Sequence, residues 1–155
     1  MKIVSGGQTG VDRAALDVAQ ELGMAAGGWA PAGRLAEDGR IPDRYPVRAM
    51  PEAGYADRTR QNVIDSDGTL IVSCGERTGG TALTVDCCER EGKPLLCVRG
   101  DRTALGDAAQ ALRRFVLTHN ITVLNVAGPR ASQDKAAPAY TEQLLRMLLN
   151  RGSDV

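Results

Sequence analysis

Along the chain, short runs of apolar, β-prone residues alternate with longer stretches in which apolar positions recur every three or four residues. The short runs predict strands at Lys2–Ser5, Ala26–Trp29, Val47–Met50, Thr69–Ser73, Leu95–Val98 and Thr122–Val126. The longer periods predict helices over Val11–Leu22, Tyr55–Asp65, Thr81–Glu91, Ala104–Thr118 and Ala137–Asn150. Val11, Ala15, Val18 and Leu22 form one stripe along the first helix; Tyr140, Leu144, Leu145 and Leu148 do the same in the last.

This alternation predicts an α/β fold, a mostly parallel sheet of about six strands with helices on both faces. Right-handed crossovers favour the strand order 3-2-1-4-5-6, which reverses between the first and fourth strands. In such sheets ligands bind outside the strand C-termini at the reversal. Residues 1–150 read as a single ligand-binding domain and residues 151–155 as a frayed tail. The stretch Ala30–Arg44, which holds Pro31 and Pro42 and has no clean period, breaks the rhythm. It reads as an ordered loop covering the site, although its charged residues Arg34, Glu37, Asp38 and Arg40 also suit a solvated surface.

Composition narrows the function classes. The chain has 155 residues, and its nineteen basic and nineteen acidic side chains cancel, so no global field attracts nucleic acid or an anionic membrane. Aromatic residues make up only 3%, which argues against base-stacking modules. No apolar run reaches membrane-spanning length and no signal-peptide pattern precedes the first strand, so a cytoplasmic location is expected. Cys87 and Cys88 in a helix, and Cys97 in a strand, read as small buried apolar residues. Cys74 ends a strand beside a glycine-rich loop, where a helix N-terminus can lower a thiol pKa. His119 is the only histidine, so neither a Cys–His catalytic pair nor a zinc site is expected.

Candidate chemistry concentrates in two glycine-rich loops. In "SGGQTGVDRAAL", Gly6, Gly7, Gln8, Thr9 and Gly10 join the first strand to the first helix. Glycines there let a ligand approach the backbone, and the helix that follows offers unpaired N–H groups to an anion. A tight turn without a ligand fits the same residues. The fourth strand leads into a second such loop, from which Gly79, Gly80 and Thr81 would face the same ligand; Thr81 also fits a helix cap. Thr9 and Asp12 match a capping pattern, while Asp12 is equally placed to pair with Arg13, hold a magnesium ion or bind a ribose hydroxyl. Arg58 and Asn62, four residues apart, share one helix face, and Arg130, with Asn125 and Gly128, follows the last strand onto the same sheet edge. The chain has no G-x-G-x-x-G, no P-loop lysine and no Ser-His-Asp set.

The segments "SGGQTGVDRAALD", "GGWAPAGRLAEDGRIP", "YADRTRQNVIDSDGTLIV", "TGGTALT" and "LNVAGPR" resemble the putative molybdenum carrier family, within the SLOG superfamily of Rossmann-like ligand-binding proteins. The resemblance spans nearly the whole chain. It implies a Rossmann-like sheet and a nucleotide-like or pterin-type phosphorylated ligand, with the molybdenum cofactor or a nucleotide as candidates. The same superfamily holds the lonely-guy phosphoribohydrolases, whose motif resembles P-G-G-x-G-T-x-x-E. Gly80-Thr81 matches their G-T pair and Arg58 falls about where their arginine lies, but Thr84 stands in place of the catalytic glutamate.

The expected function is therefore carrier-like binding of a small phosphorylated ligand, with neither nucleic acid nor membrane as partner. The alternative is a hydrolase releasing base from a nucleoside monophosphate, with Arg58, Asp12, Glu76 and Asp86 as candidate catalytic residues. A homo-oligomer is also expected, from the resemblance and from Leu144, Leu145, Met147, Leu148 and Leu149 in the last helix.

Overall fold

The helices form where the apolar stripes place them, each boundary among the described residues within two residues of expectation. The computed structural model describes residues 1–52, 54–76 and 79–149, so the expected tail and the helix end at Asn150 lie outside the described residues. In chain order the elements are β1 (Lys2–Val4), α1 (Val11–Glu21), β2 (Ala25–Gly27), β3 (Trp29–Ala30), β4 (Leu35–Ala36), β5 (Gly39–Arg40), β6 (Arg48–Ala49), α2 (Tyr55–Ile64), β7 (Gly68–Ser73), α3 (Gly79–Glu91), β8 (Leu95–Arg99), α4 (Leu105–Thr118), β9 (Val123–Ala127) and α5 (Ala137–Leu149).

The central sheet has five strands, all parallel, in the order β2-β1-β9-β7-β8. The expected order 3-2-1-4-5-6 is therefore corrected: the last strand is not at an edge but between the first strand and Gly68–Ser73. Ile3 pairs with Leu124 on one side of β9, and Leu70 with Val126 on the other. Numbered as though β9 came first, the same sheet reads 3-2-1-4-5. This is the doubly wound order with its first strand moved to the end of the chain. Periodicity and crossover handedness are blind to where a chain is cut, so the uncut order is the one they predict.

The third expected strand is absent from this sheet. The run Val47–Met50 contributes only β6, which pairs with β3 in a separate two-stranded ribbon. The chain leaves β2 at Gly28, where φ is 131° and a Cβ would strike the Ser5 carbonyl oxygen, so the predicted strand Ala26–Trp29 is broken in two.

Helices α1, α4 and α5 bury Val11, Val18, Leu112, Leu144 and Leu145 on one face, over Ile3, Leu70, Val72, Leu124 and Val126. On the opposite face Val63 of α2 meets Cys87 and Cys88 of α3. The cysteine pair is buried as expected, whereas Cys97 is exposed because β8 is an edge strand. Leu144, Leu145 and Leu148 are spent inside the chain's own core, leaving Met147 partly exposed on α5.

Candidate ligand-binding site

Because β1, β9 and β7 run parallel, their C-terminal ends deliver three loops to one edge of the sheet. Those ends frame a crevice whose fourth side is α2. Gly6 and Gln8 line it from the first loop, Asp12 from the first turn of α1, Gly80, Leu83 and Thr84 from α3, residues 125–130 and Gln133 from β9 and its loop, and Arg58, Thr59 and Asn62 from α2. It encloses about 120 Å³. That is less than the ~300–1,000 Å³ of common ligand clefts, room enough for one phosphate or one ring. The order reverses between β9 and β7, not directly between β1 and β7, and so the loop after β9 stands between the two glycine-rich loops.

Asp12 and Arg58 meet at the floor. Asp12 is 4% exposed, and its Oδ2 accepts from the Gln8 backbone N–H (3.2 Å) and from Arg58 Nη1 (3.4 Å). Burial pushes its carboxyl above the ordinary value, while the Arg58 guanidinium and the Gln8 N–H pull against that rise. A Cβ on Gly6 would run into the Arg58 guanidinium and touch Asp12 Oδ2 at 3.0 Å. Gly6 thus clears the passage through which Arg58 reaches Asp12. The expected Asp12–Arg13 pairing does not form, because Arg13 makes a two-pronged ion pair with Asp38 (2.5 and 2.8 Å).

Several expected site residues do other work. Gly7 packs against Ile41 and Val47. Gly10, not Thr9, caps α1, with φ 87°, and a Cβ there would collide with the Pro129 carbonyl, so its bareness admits the β9 loop. The Thr9 hydroxyl instead bonds Glu37 and accepts from the Ala131 N–H (3.1 Å). In the second loop α3 begins at Gly79, which puts Thr81 inside the first turn, buried, rather than at the cap. Residues 77 and 78 lie outside the described residues. Thr84 turns its hydroxyl back onto the Gly80 carbonyl (3.1 Å). Asn62 lines the crevice but spends its carboxamide on both backbone groups of Trp29 (2.8 and 3.0 Å).

Of the other acid candidates, Glu76 is exposed and Asp86 pairs with Arg90 along α3 at 3.1 Å, and neither lines the crevice. Arg130 does. The Cys74 thiol is pushed up, mainly by burial and then by Asp134 and Asp101, opposite to the lowering that its position suggested. Asp134, which the sequence did not single out, accepts from the Cys74 N–H (2.7 Å) and the Ala137 N–H (3.1 Å), tying the exit of β7 to the start of α5. Gln133 was missed as well; its only signal is its closeness to Arg130 after the last strand.

Residues 31–47 form a strap, but the covering role expected of Ala30–Arg44 is corrected: none of these residues lines the crevice, and they brace the first loop from behind. Arg34 organises the strap, its guanidinium donating to the carbonyls of Ile41 (3.3 Å), Pro42 (2.7 Å), Tyr45 (3.2 Å) and Val47. Glu37 fastens it: its carboxylate accepts from the Ser132 N–H (3.2 Å), the Ser132 hydroxyl (2.5 Å) and Thr9. Those bonds hold the Glu37 carboxyl below its ordinary range.

Fold and crevice together define a doubly wound α/β protein whose ligand edge lies at the reversal of a permuted strand order. The chain belongs to the circularly permutated YpsA SLOG family, whose model matches residues 3–149. It is also similar to a crystal structure of a "putative molybdenum carrier protein" from Syntrophus aciditrophicus SB, with 49% identity over 96% of this chain and 94% of that one and a TM-score of 0.93. No curated protein matches it. The description of the family as circularly permutated agrees with the central position of β9.

Proposed function

We propose that this chain is a carrier-like protein that binds a nucleotide or pterin-type phosphorylated ligand in the crevice between β1, β9, β7 and α2. The observation that carries the reading is the crevice itself. It sits where ligands bind in doubly wound sheets and gathers Arg58, Arg130, the Gln8 carboxamide and the backbone of Gly80 at the start of α3. The similarity to a protein named as a molybdenum carrier supports a carrier-like role. Among the described residues no three His, Cys, Asp or Glu side chains gather to hold a metal. No helix among the described residues is long and apolar enough to cross a membrane.

A thermal-shift series with nucleoside monophosphates, pterin phosphates and molybdate tests the reading, since a ligand bound by the folded state raises its melting temperature by mass action. A melting temperature indifferent to every one of them would sink it.

One observation favours the second reading, a phosphoribohydrolase-like enzyme. Asp12 is a buried carboxyl with a raised pKa facing the crevice beside Arg58, the setting of a general acid. Under that reading Asp12→Asn lowers release of base from adenosine or inosine monophosphate by about 10²–10⁴-fold. Wild-type protein that releases no base supports the carrier.

A further inference from the structure

Gln8 holds a buried amide nitrogen that bonds to nothing among the described residues. Its Oε1 accepts two backbone N–H bonds, from Thr9 (3.0 Å) and from Glu37 in the strap (2.9 Å). The carboxamide therefore cannot turn over, because exchanging its oxygen and nitrogen would set an NH₂ group against two N–H donors. Nε2 has to point the other way. The side chain is 6% exposed and lines the crevice. Its neighbours are already engaged: Asp12 holds the Gln8 backbone N–H and Arg58, and the Thr9 hydroxyl is taken by Glu37. Native proteins leave few buried donors unmade, because each one destabilises the fold that carries it.

We infer that the Gln8 carboxamide is a specificity-determining donor, reserved for an oxygen acceptor of the ligand, either a phosphoryl oxygen or a ring oxo group. This rests on the ligand-binding reading above and deepens it. The strap supplies the lock: the Glu37 N–H keeps the oxygen of Gln8 turned away from the crevice, so the site presents NH₂ and never C=O. A ligand with an amino group at that point meets a donor with a donor and is rejected. The strap thus sets the selectivity of a crevice it does not touch.

The test is Gln8→Glu at pH 8, with Gln8→Ala beside it. Glutamate keeps an oxygen for Thr9 and Glu37 but replaces the NH₂ group by a second acceptor. Alanine strips both backbone donors of their partner. Calorimetry with inorganic phosphate, inosine monophosphate and adenosine monophosphate reads affinity, and a thermal melt reads the fold. The expected result is that Gln8→Glu melts closer to wild type than Gln8→Ala yet weakens binding more, on the order of ten-fold or beyond. Loss for both nucleotides and for phosphate identifies a phosphoryl oxygen; loss for inosine monophosphate alone identifies the 6-oxo group.

A Gln8 that only props the loop gives the reverse order, with Glu nearly silent and Ala damaging both readouts, and that overturns the inference. Should Gln8→Glu not fold, ¹⁵N spectra of the wild type decide, because saturation with the tighter nucleotide has to shift the Gln8 side-chain NH₂ signals. Unshifted signals overturn the inference while leaving the ligand-binding reading in place. Wild-type protein that binds none of the three probes defeats both.

Discussion

Gly6 is bare because Arg58 occupies the space that a side chain would fill. Gly6→Ala should push the guanidinium off Asp12 and weaken binding of nucleoside monophosphates, with circular dichroism unchanged; unaltered affinity would show that the pair does not serve the site. Arg58→Ala is the harsher change. It leaves Asp12 buried without its cation, at an expected cost of about 3 kcal/mol near neutrality. The sign of its pH dependence follows from the direction of the Asp12 shift. With its carboxyl held above the ordinary value of 3.8, the folded protein keeps this proton more readily than the unfolded chain. The group therefore favours folding most at pH below 3.8, and that contribution declines as pH rises through the raised folded value. Removing Arg58 raises the folded value further, so urea denaturation should show a larger gap between variant and wild type at pH 7 than at pH 4. Equal gaps would place the damage elsewhere.

Among the elements, the strap and β9 depend on single side chains that bond to backbone. Arg34, itself at φ 55°, holds carbonyls from four residues of the strap. Arg34→Ala should open residues 31–47 to limited proteolysis, and Arg34→Lys should not restore protection, since an ammonium cannot span that fan of acceptors. Intact resistance in the alanine variant would count against the role. Asp67 starts β9, its Oδ2 accepting from the Thr122 N–H, the Thr122 hydroxyl and the Val123 N–H, each at 2.9 Å. These bonds hold its carboxyl below 3.8. Their stabilisation is present above that value and is lost as pH falls through the lowered one. Asp67→Ala should cost about 1–2 kcal/mol at pH 7 in chemical denaturation and progressively less in acid. Helices were legible in the sequence because apolar period is a local property. The work of Arg34, Asp67 and Asp134 was not. Each bonds to main-chain groups that any residue type supplies, so only the folded path of the chain reveals the partner.

For the whole molecule, the sheet order was the part of the fold that local pattern misstated. The run Val47–Met50 left the central sheet, Ala26–Trp29 broke in two, and β9 entered the middle, as a chain permuted relative to the doubly wound order would place it. If that is a relocated chain break and nothing more, joining the end of α5 to Met1 through a short linker and opening the chain at Asn120 should yield the same fold. Far-UV circular dichroism and a urea midpoint close to the parent's are the expected result. A molten or insoluble permutant would mean that β1 has to begin the chain.

The position of β9 also bears on how the protein is made. Synthesis runs from the N-terminus, so β1 with β2, and β7 with β8, leave the ribosome well before the strand that joins them. Until residue 127 emerges, β1 and β7 each present an unpaired inner edge, rich in Ile3, Val4, Leu70, Ile71 and Val72. Such edges recruit one another across neighbouring nascent chains. Translation that stalls short of β9 should therefore yield aggregates where completed chains stay soluble, and holdase chaperones should engage this protein chiefly during that interval.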